Sequence, residues 1–157
     1  MKIDWKKLIA AIVICQGTGI LAGLATASSV STWYDTLTKP GFTPPNWLFA
    51  PVWTTLYFLM AIAAYLVWHK GINTPGIKRA LVIFLLQLLF NGLWSILFFG
   101  LQSPVLGLVD IIILIILLVL TIIHFYRIKK WAAYLLVPYL LWVLYATALN
   151  MAIVILN

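Results

Sequence analysis

Five long apolar runs constrain this chain more than any other feature of its sequence. Each run reaches about 20 residues, the length that an α-helix needs to cross the hydrocarbon core of a bilayer. Backbone groups in that core must pair within their own segment, which favours helices over open strands. The composition is 65% hydrophobic and 8% charged, too little charge to cover a soluble domain of 157 residues. We therefore predict one all-α integral membrane domain over residues 1–157, with helices at about 7–28, 47–69, 77–100, 104–126 and 131–155.

The basic residues lie on one side of the predicted five-helix bundle. The net charge of +7 could indicate nucleic acid, but nine of the ten Lys and Arg residues precede the first helix or flank the second and fourth turns. Only Lys39 lies on the other side. This asymmetry follows the positive-inside rule and predicts an inner amino terminus and an outer carboxyl terminus. We expect a multi-pass protein in contact with a lipid bilayer, without a nucleic-acid partner. A cleavable signal fits less well, because the first run is long for one.

The segment at about 29–46, between the first two helices, is rich in aromatic residues and proline. Proline removes backbone donors and biases the preceding residue away from helix. We predict a folded-over loop on the outer side, with a helical turn near Thr32–Leu37 that Ser31 or Thr32 caps. Such a loop would form the lid of a membrane-embedded pocket, and its flat side chains suit a flat ligand. The lid residues include Trp33, Pro44, Pro45 and Trp47.

Three predicted helices carry polar and aromatic stripes at spacings of three and four, which place each stripe on one helical face. Because unpaired polar groups are costly in hydrocarbon, these faces should turn inward. For Gln87 and Asn150, bonds between helices explain the residues as well as ligand contact does. Pro138 interrupts backbone pairing and predicts a kink in the fifth helix. The stripes are Trp53 and Tyr57; Gln87, Asn91, Trp94 and Phe98; and Tyr139, Trp142, Ala146 and Asn150.

The first helix contains a GxxxG step at Gly19 and Gly23, which lets two backbones approach closely. Packing in the bundle, a homodimer contact and space for a ligand all remain open. The titratable residues do not indicate a metal site or a required cofactor. Asp110 and His124 are 14 residues apart, about 21 Å along a helix. A haem-like ring would find no histidine on the inward stripes and would bind by stacking and apolar contact.

These features together resemble the translocator protein family, whose members are also called tryptophan-rich sensory proteins or peripheral-type benzodiazepine receptors. The resemblance extends over nearly the whole chain, and the motifs occur in the same order. The matching pieces are Trp33-Tyr34, Lys39-Pro40, Thr43-Pro44-Pro45-Asn46-Trp47, Ala50-Pro51-Val52-Trp53-Thr54, Leu56-Tyr57, Gln87, Asn91, Trp94, Phe98-Phe99-Gly100, Asp110, Pro138-Tyr139, Trp142, Ala146 and Leu149-Asn150.

The resemblance implies a five-helix bundle, often a homodimer, that binds protoporphyrin IX, haem and related hydrophobic ligands. It implies a role as a sensor or carrier of porphyrins. The alternative is an enzyme that degrades protoporphyrin IX in light, with Trp53, Trp94 and Trp142 as candidate participants. Sterol recognition is not implied, because the residues after Asn150 lack the Tyr and Arg of animal members. The implied pocket residues are Ala22, Gly23, Trp53, Asn91, Trp94, Trp142, Ala146 and Leu149, under a lid of Trp33, Pro44, Pro45 and Trp47.

Overall fold

The computed structural model describes residues 2–157 and contains only helices, turns and loops over that range. Five of its segments are long and apolar enough to cross a membrane, which confirms the predicted fold class. A 3₁₀ turn, Asn46–Leu48, precedes α3, and a π-helical turn, Ile96–Gly100, continues α4. The helices are α1 (Trp5–Val30), α2 (Trp33–Thr36), α3 (Phe49–Trp68), α4 (Ile77–Ser95), α5 (Pro104–Ile128), α6 (Lys130–Leu135) and α7 (Val137–Leu156).

Side-chain caps start two of the long helices. Asp4 precedes α1, and its carboxylate accepts a hydrogen bond from the backbone N–H of Lys7 at 3.2 Å. That bond holds the pKa of Asp4 below its ordinary value. Ser103 precedes α5 in the same way and accepts from the N–H of Leu106 at 3.3 Å. Pro104 occupies the first turn, where its missing donor costs nothing. Local chemistry therefore sets where these two spans begin.

The bundle core lies between α3, α4, α5 and the α6–α7 pair, and α1 packs against α3 and α4. Phe84 of α4 stacks on Phe125 of α5 at 5.6 Å between ring centroids. Many large apolar side chains point outward instead, among them Val13, Leu21 and Leu24 of α1. An apolar surface of this extent is stable in lipid and not in water. The packing thus agrees with a membrane-embedded bundle.

The fifth span is interrupted close to Pro138, as its sequence predicts. α6 ends at Leu135, α7 begins at Val137, and regular pairing resumes where the N–H of Leu140 donates to the carbonyl of Leu136 at 3.0 Å. Pro138 occupies the first turn of α7, where no helical donor is required. The interruption therefore costs the bundle little backbone pairing.

The loop before α3 contains the predicted helical turn, but its predicted cap is wrong. Thr32 makes no capping bond to α2; its hydroxyl donates back to the carbonyl of Ser28 at 2.9 Å. A threonine that follows a long helix has a free helical carbonyl within reach, and that bond competes with capping. After α2, the loop is hydrogen-bonded to α7. Asn157 bonds both backbone groups of Thr38, at 2.9 and 3.0 Å.

The GxxxG step of α1 serves two purposes within the chain. A Cβ placed on Gly19 would lie 2.6 Å from the ring of Tyr57, so Gly19 allows α1 and α3 to approach closely. A Cβ on Gly23 would meet nothing within 4 Å. Gly19 is therefore committed to packing inside the bundle, and Gly23 leaves space. The homodimer stays a prediction, and its contact would need a surface other than Gly19.

Candidate ligand-binding site

A cavity of about 610 Å³ lies between α1, α3 and α4. Its volume falls within the range of about 300–1,000 Å³ that is usual for small-molecule sites. Tyr34 of α2 closes part of its outer end. Large aromatic rings line much of the wall, which favours a flat, largely apolar ligand. The aromatic lining residues are Tyr34, Phe49, Trp53, Tyr57, Trp94 and Phe99.

Small side chains on α1 create the space opposite these rings. Ala22, Gly23 and Ala27 line the cavity, together with Thr26. The hydroxyl of Thr26 donates to the carbonyl of Ala22 at 2.9 Å, so it is satisfied within its own helix. This wall therefore offers a ligand mainly apolar contact.

A chain of buried hydrogen bonds leads from the cavity wall into the core. Tyr57 donates its hydroxyl proton to the side-chain oxygen of Asn91, and both residues line the cavity. The amide nitrogen of Asn91 donates to the hydroxyl of Tyr139 at 2.8 Å. Tyr139 donates in turn to Gln87 at 2.9 Å. The chain connects α3, α4 and α7, and it holds Asn91 in one orientation at the cavity surface.

A second, smaller cavity of about 20 Å³ lies behind the first, with room for a group of about the size of one water molecule. Ala146, Leu149 and Asn150 of α7 line it. The two cavities share the side chains of Tyr34, Phe49, Trp94 and Phe99. The indole N–H of Trp94 donates to the side-chain oxygen of Asn150 at 3.1 Å. Trp94 thus forms part of the wall between them.

The predicted site residues fall into three groups, and their contact with a ligand stays a prediction. One group lines the large cavity: Ala22, Gly23, Trp53, Tyr57, Asn91 and Trp94. The second lines the small cavity: Phe98, Ala146, Leu149 and Asn150, with Trp94 lining both. The third lines neither: Trp33, Pro44, Pro45, Trp47, Gln87 and Trp142.

The residues of the third group have other neighbours. Trp33 packs edge-on against Phe98 at 5.7 Å, and Trp47 is 71% exposed. Trp142 packs against Phe49 at 6.2 Å, and its buried indole N–H has no acceptor among residues 2–157. Gln87 belongs to the hydrogen-bond chain below the cavity, which agrees with the interpretation as a bond between helices. Of the three tryptophans considered for photochemistry, Trp53 and Trp94 line the large cavity.

Some lining residues were not predicted. Ser95 lies four residues after Asn91, so extension of that stripe by one step would have found it. Phe99 was harder to identify. The π-helical turn closes with the N–H of Leu101 donating to the carbonyl of Ile96 at 2.8 Å, and its extra residue lets Phe98 and Phe99 both face inward. No regular helical period predicts two adjacent inward positions.

Titratable groups contribute nothing to the cavity wall that resembles a metal site. Within the part of the chain that the structure describes, no group of three or more His, Cys, Asp or Glu side chains could hold a metal ion. The lining residues include no histidine or cysteine that could bind the iron of a haem. A tetrapyrrole ring would therefore be held by stacking and apolar contact.

Comparison with known proteins agrees with this architecture. Residues 11–156 match the TspO/MBR family. The Tryptophan-rich protein TspO of Archaeoglobus fulgidus is 52% identical over 152 residues, covering 96% of this chain and 97% of that protein. The Tryptophan-rich sensory protein of Cereibacter sphaeroides is 35% identical over 157 residues, covering 100% and 95%. The human Translocator protein is 38% identical over 119 residues, covering 75% and 70%. This chain belongs to the TspO/MBR family.

Proposed function

We propose that this protein is a membrane receptor or carrier that binds tetrapyrroles, such as protoporphyrin IX and haem, in the cavity between α1, α3 and α4. The observation that carries the proposal is the aromatic wall of that cavity. Trp53 and Tyr57 lie 5.7 Å apart with their planes 33° from parallel, and Trp94 stacks on Phe98 at 5.2 Å. Broad ring faces of this kind favour a broad, flat partner.

The polar part of the wall supports the same ligand class. Asn91 is held by Tyr57 and Tyr139, so its amide is oriented before any ligand arrives. An oriented polar group in an apolar cavity adds specificity without the cost of ordering it on binding. Tetrapyrroles combine a large apolar ring with a few polar groups, and this wall has the matching character.

The test is a titration of protoporphyrin IX in the dark, in mild detergent, followed by tryptophan fluorescence. We expect saturable binding that weakens by about threefold to tenfold in Trp53→Phe and Trp94→Phe, since each indole contributes about 0.5–1.5 kcal/mol of aromatic contact. Trp142→Phe should bind as wild type does, because this indole lies outside both cavities. Trp131→Phe, exposed near the start of α6, is the control for altered fluorescence.

Two results would contradict the proposal. Linear quenching of equal strength in all five proteins would mean that the porphyrin only partitions into the micelle. Weakening in Trp142→Phe, with Trp53→Phe and Trp94→Phe unchanged, would move the site to the α7 residues that the family resemblance implies.

We propose further that the amino terminus lies on the inner side of the membrane and the loop before α3 on the outer side. The five spans place nine of the ten Lys and Arg residues at one end of the bundle and Lys39 at the other. In a Cys15→Ser background, Lys39→Cys should react with a membrane-impermeant thiol reagent in intact cells. Lys78→Cys should react only after permeabilisation, and the reverse pattern would overturn this orientation.

A further inference from the structure

The large cavity is open along one side, between α1 and α3. The side chains that line its mouth are exposed, whereas Tyr57 and Asn91 at its inner wall are buried. The exposed lining residues come from both helices, so the opening is a slot between them. The slot residues are Ile20, Gly23, Ala27 and Ser31 on one side, and Asn46, Ala50 and Thr54 on the other.

The slot has a closed end and an open end. At its inner end, the side-chain amide of Gln16 donates to the carbonyl of Thr54 at 3.1 Å, and Gly19 packs on Tyr57. At its outer end lie Ser31 and Asn46, next to the loop. From Ile20 to Ser31 the chain advances about 16 Å along α1, roughly half of the hydrocarbon thickness of about 30 Å. The slot therefore runs along the half of the bilayer on the loop side.

The surroundings of the slot are those of a surface in contact with lipid. Ile20 is 64% exposed, and Leu24, one turn further along α1, is 67% exposed. A Cβ on Gly23 would meet nothing within 4 Å, so no side chain of the neighbouring helices fills the gap. Between its ends the slot thus opens sideways into hydrocarbon and not into water.

We propose that the ligand enters and leaves the cavity sideways through this slot, directly from the adjacent bilayer leaflet. The inference rests on the proposed function. The ligand class is a flat amphiphile already dissolved in the leaflet, with its polar groups at the outer end of the slot, beside Ser31 and Asn46. Such a molecule reaches Trp53 and Trp94 without taking its apolar ring through water, which avoids the cost of exposing that surface.

The experiment narrows the slot and measures rates. Ala27→Leu/Ala50→Leu enlarges both rims without altering the inner wall of Tyr57, Asn91 and Trp94. In proteoliposomes with protoporphyrin IX in the bilayer, we expect association and dissociation both to slow by about tenfold, because the barrier to passage rises. The dissociation constant should change by less than about threefold. Ala148→Leu, exposed on α7 and outside both cavities, is the matched control and should keep wild-type rates.

The outcomes separate the route from the site. Wild-type rates in Ala27→Leu/Ala50→Leu, with binding intact, would overturn the lateral route and leave the proposed function standing. Absence of saturable binding in the wild type would instead refute the proposed function. If the double variant does not fold, the single variant Ala50→Leu tests the same rim, and wild-type rates there likewise overturn the route.

Discussion

Replacement of Asn91 by leucine should destabilise the folded bundle by about 1–3 kcal/mol, the cost of leaving a buried polar partner unsatisfied. Asn91 is 2% exposed and is bonded to Tyr57 and to Tyr139. Leucine removes both bonds, and the hydroxyl of Tyr57 then has no acceptor in the core. Because Asn91 also lines the large cavity, protoporphyrin IX binding should weaken in the same variant. Unfolding in a denaturing detergent, followed by circular dichroism, measures the first effect.

A double-mutant cycle distinguishes this explanation from a general packing defect. Tyr57→Phe/Asn91→Leu removes both partners of one bond, and such paired removal is often nearly neutral. We expect the double variant to be more stable than Asn91→Leu alone. If the losses of the two single variants simply add, the bond between Tyr57 and Asn91 contributes nothing to stability, and the argument fails.

Replacement of Asp110 by valine should have the opposite sign and stabilise the protein by about 1–3 kcal/mol. Asp110 is 2% exposed in α5, and neither of its carboxylate oxygens has a hydrogen-bond partner among the described residues. Burial of such a group in the membrane is costly, and an apolar side chain of similar size removes that cost. The thermal midpoint of Asp110→Val in detergent should therefore rise above that of the wild type.

The control for this prediction is Asp35→Val. Asp35 is exposed and pairs with Lys39 at 3.3 Å, so its replacement should change stability by less than about 1 kcal/mol. A lower midpoint for Asp110→Val would show that the carboxyl is satisfied in the folded protein, and that a bond at Asp110 contributes to stability.

The sequence by itself determined the membrane class, the five spans, the interruption near Pro138 and the family. Each of these depends on local properties. A span is set by the length of an apolar run, and a helix is interrupted where proline lacks its donor. The charge asymmetry depends only on where lysines and arginines fall between spans. None of these features requires knowledge of which helices are neighbours.

The tertiary structure alone decided which aromatic residues share a cavity. Trp94 and Trp142 occupy similar inward stripes, yet only Trp94 lines the large cavity. Periodicity assigns a side chain to a helical face, but the rotation of that helix and the identity of its neighbours decide what the face meets. The slot between α1 and α3 arises in the same way, since Gly23 creates an opening only because α3 carries Ala50 and Thr54 opposite it.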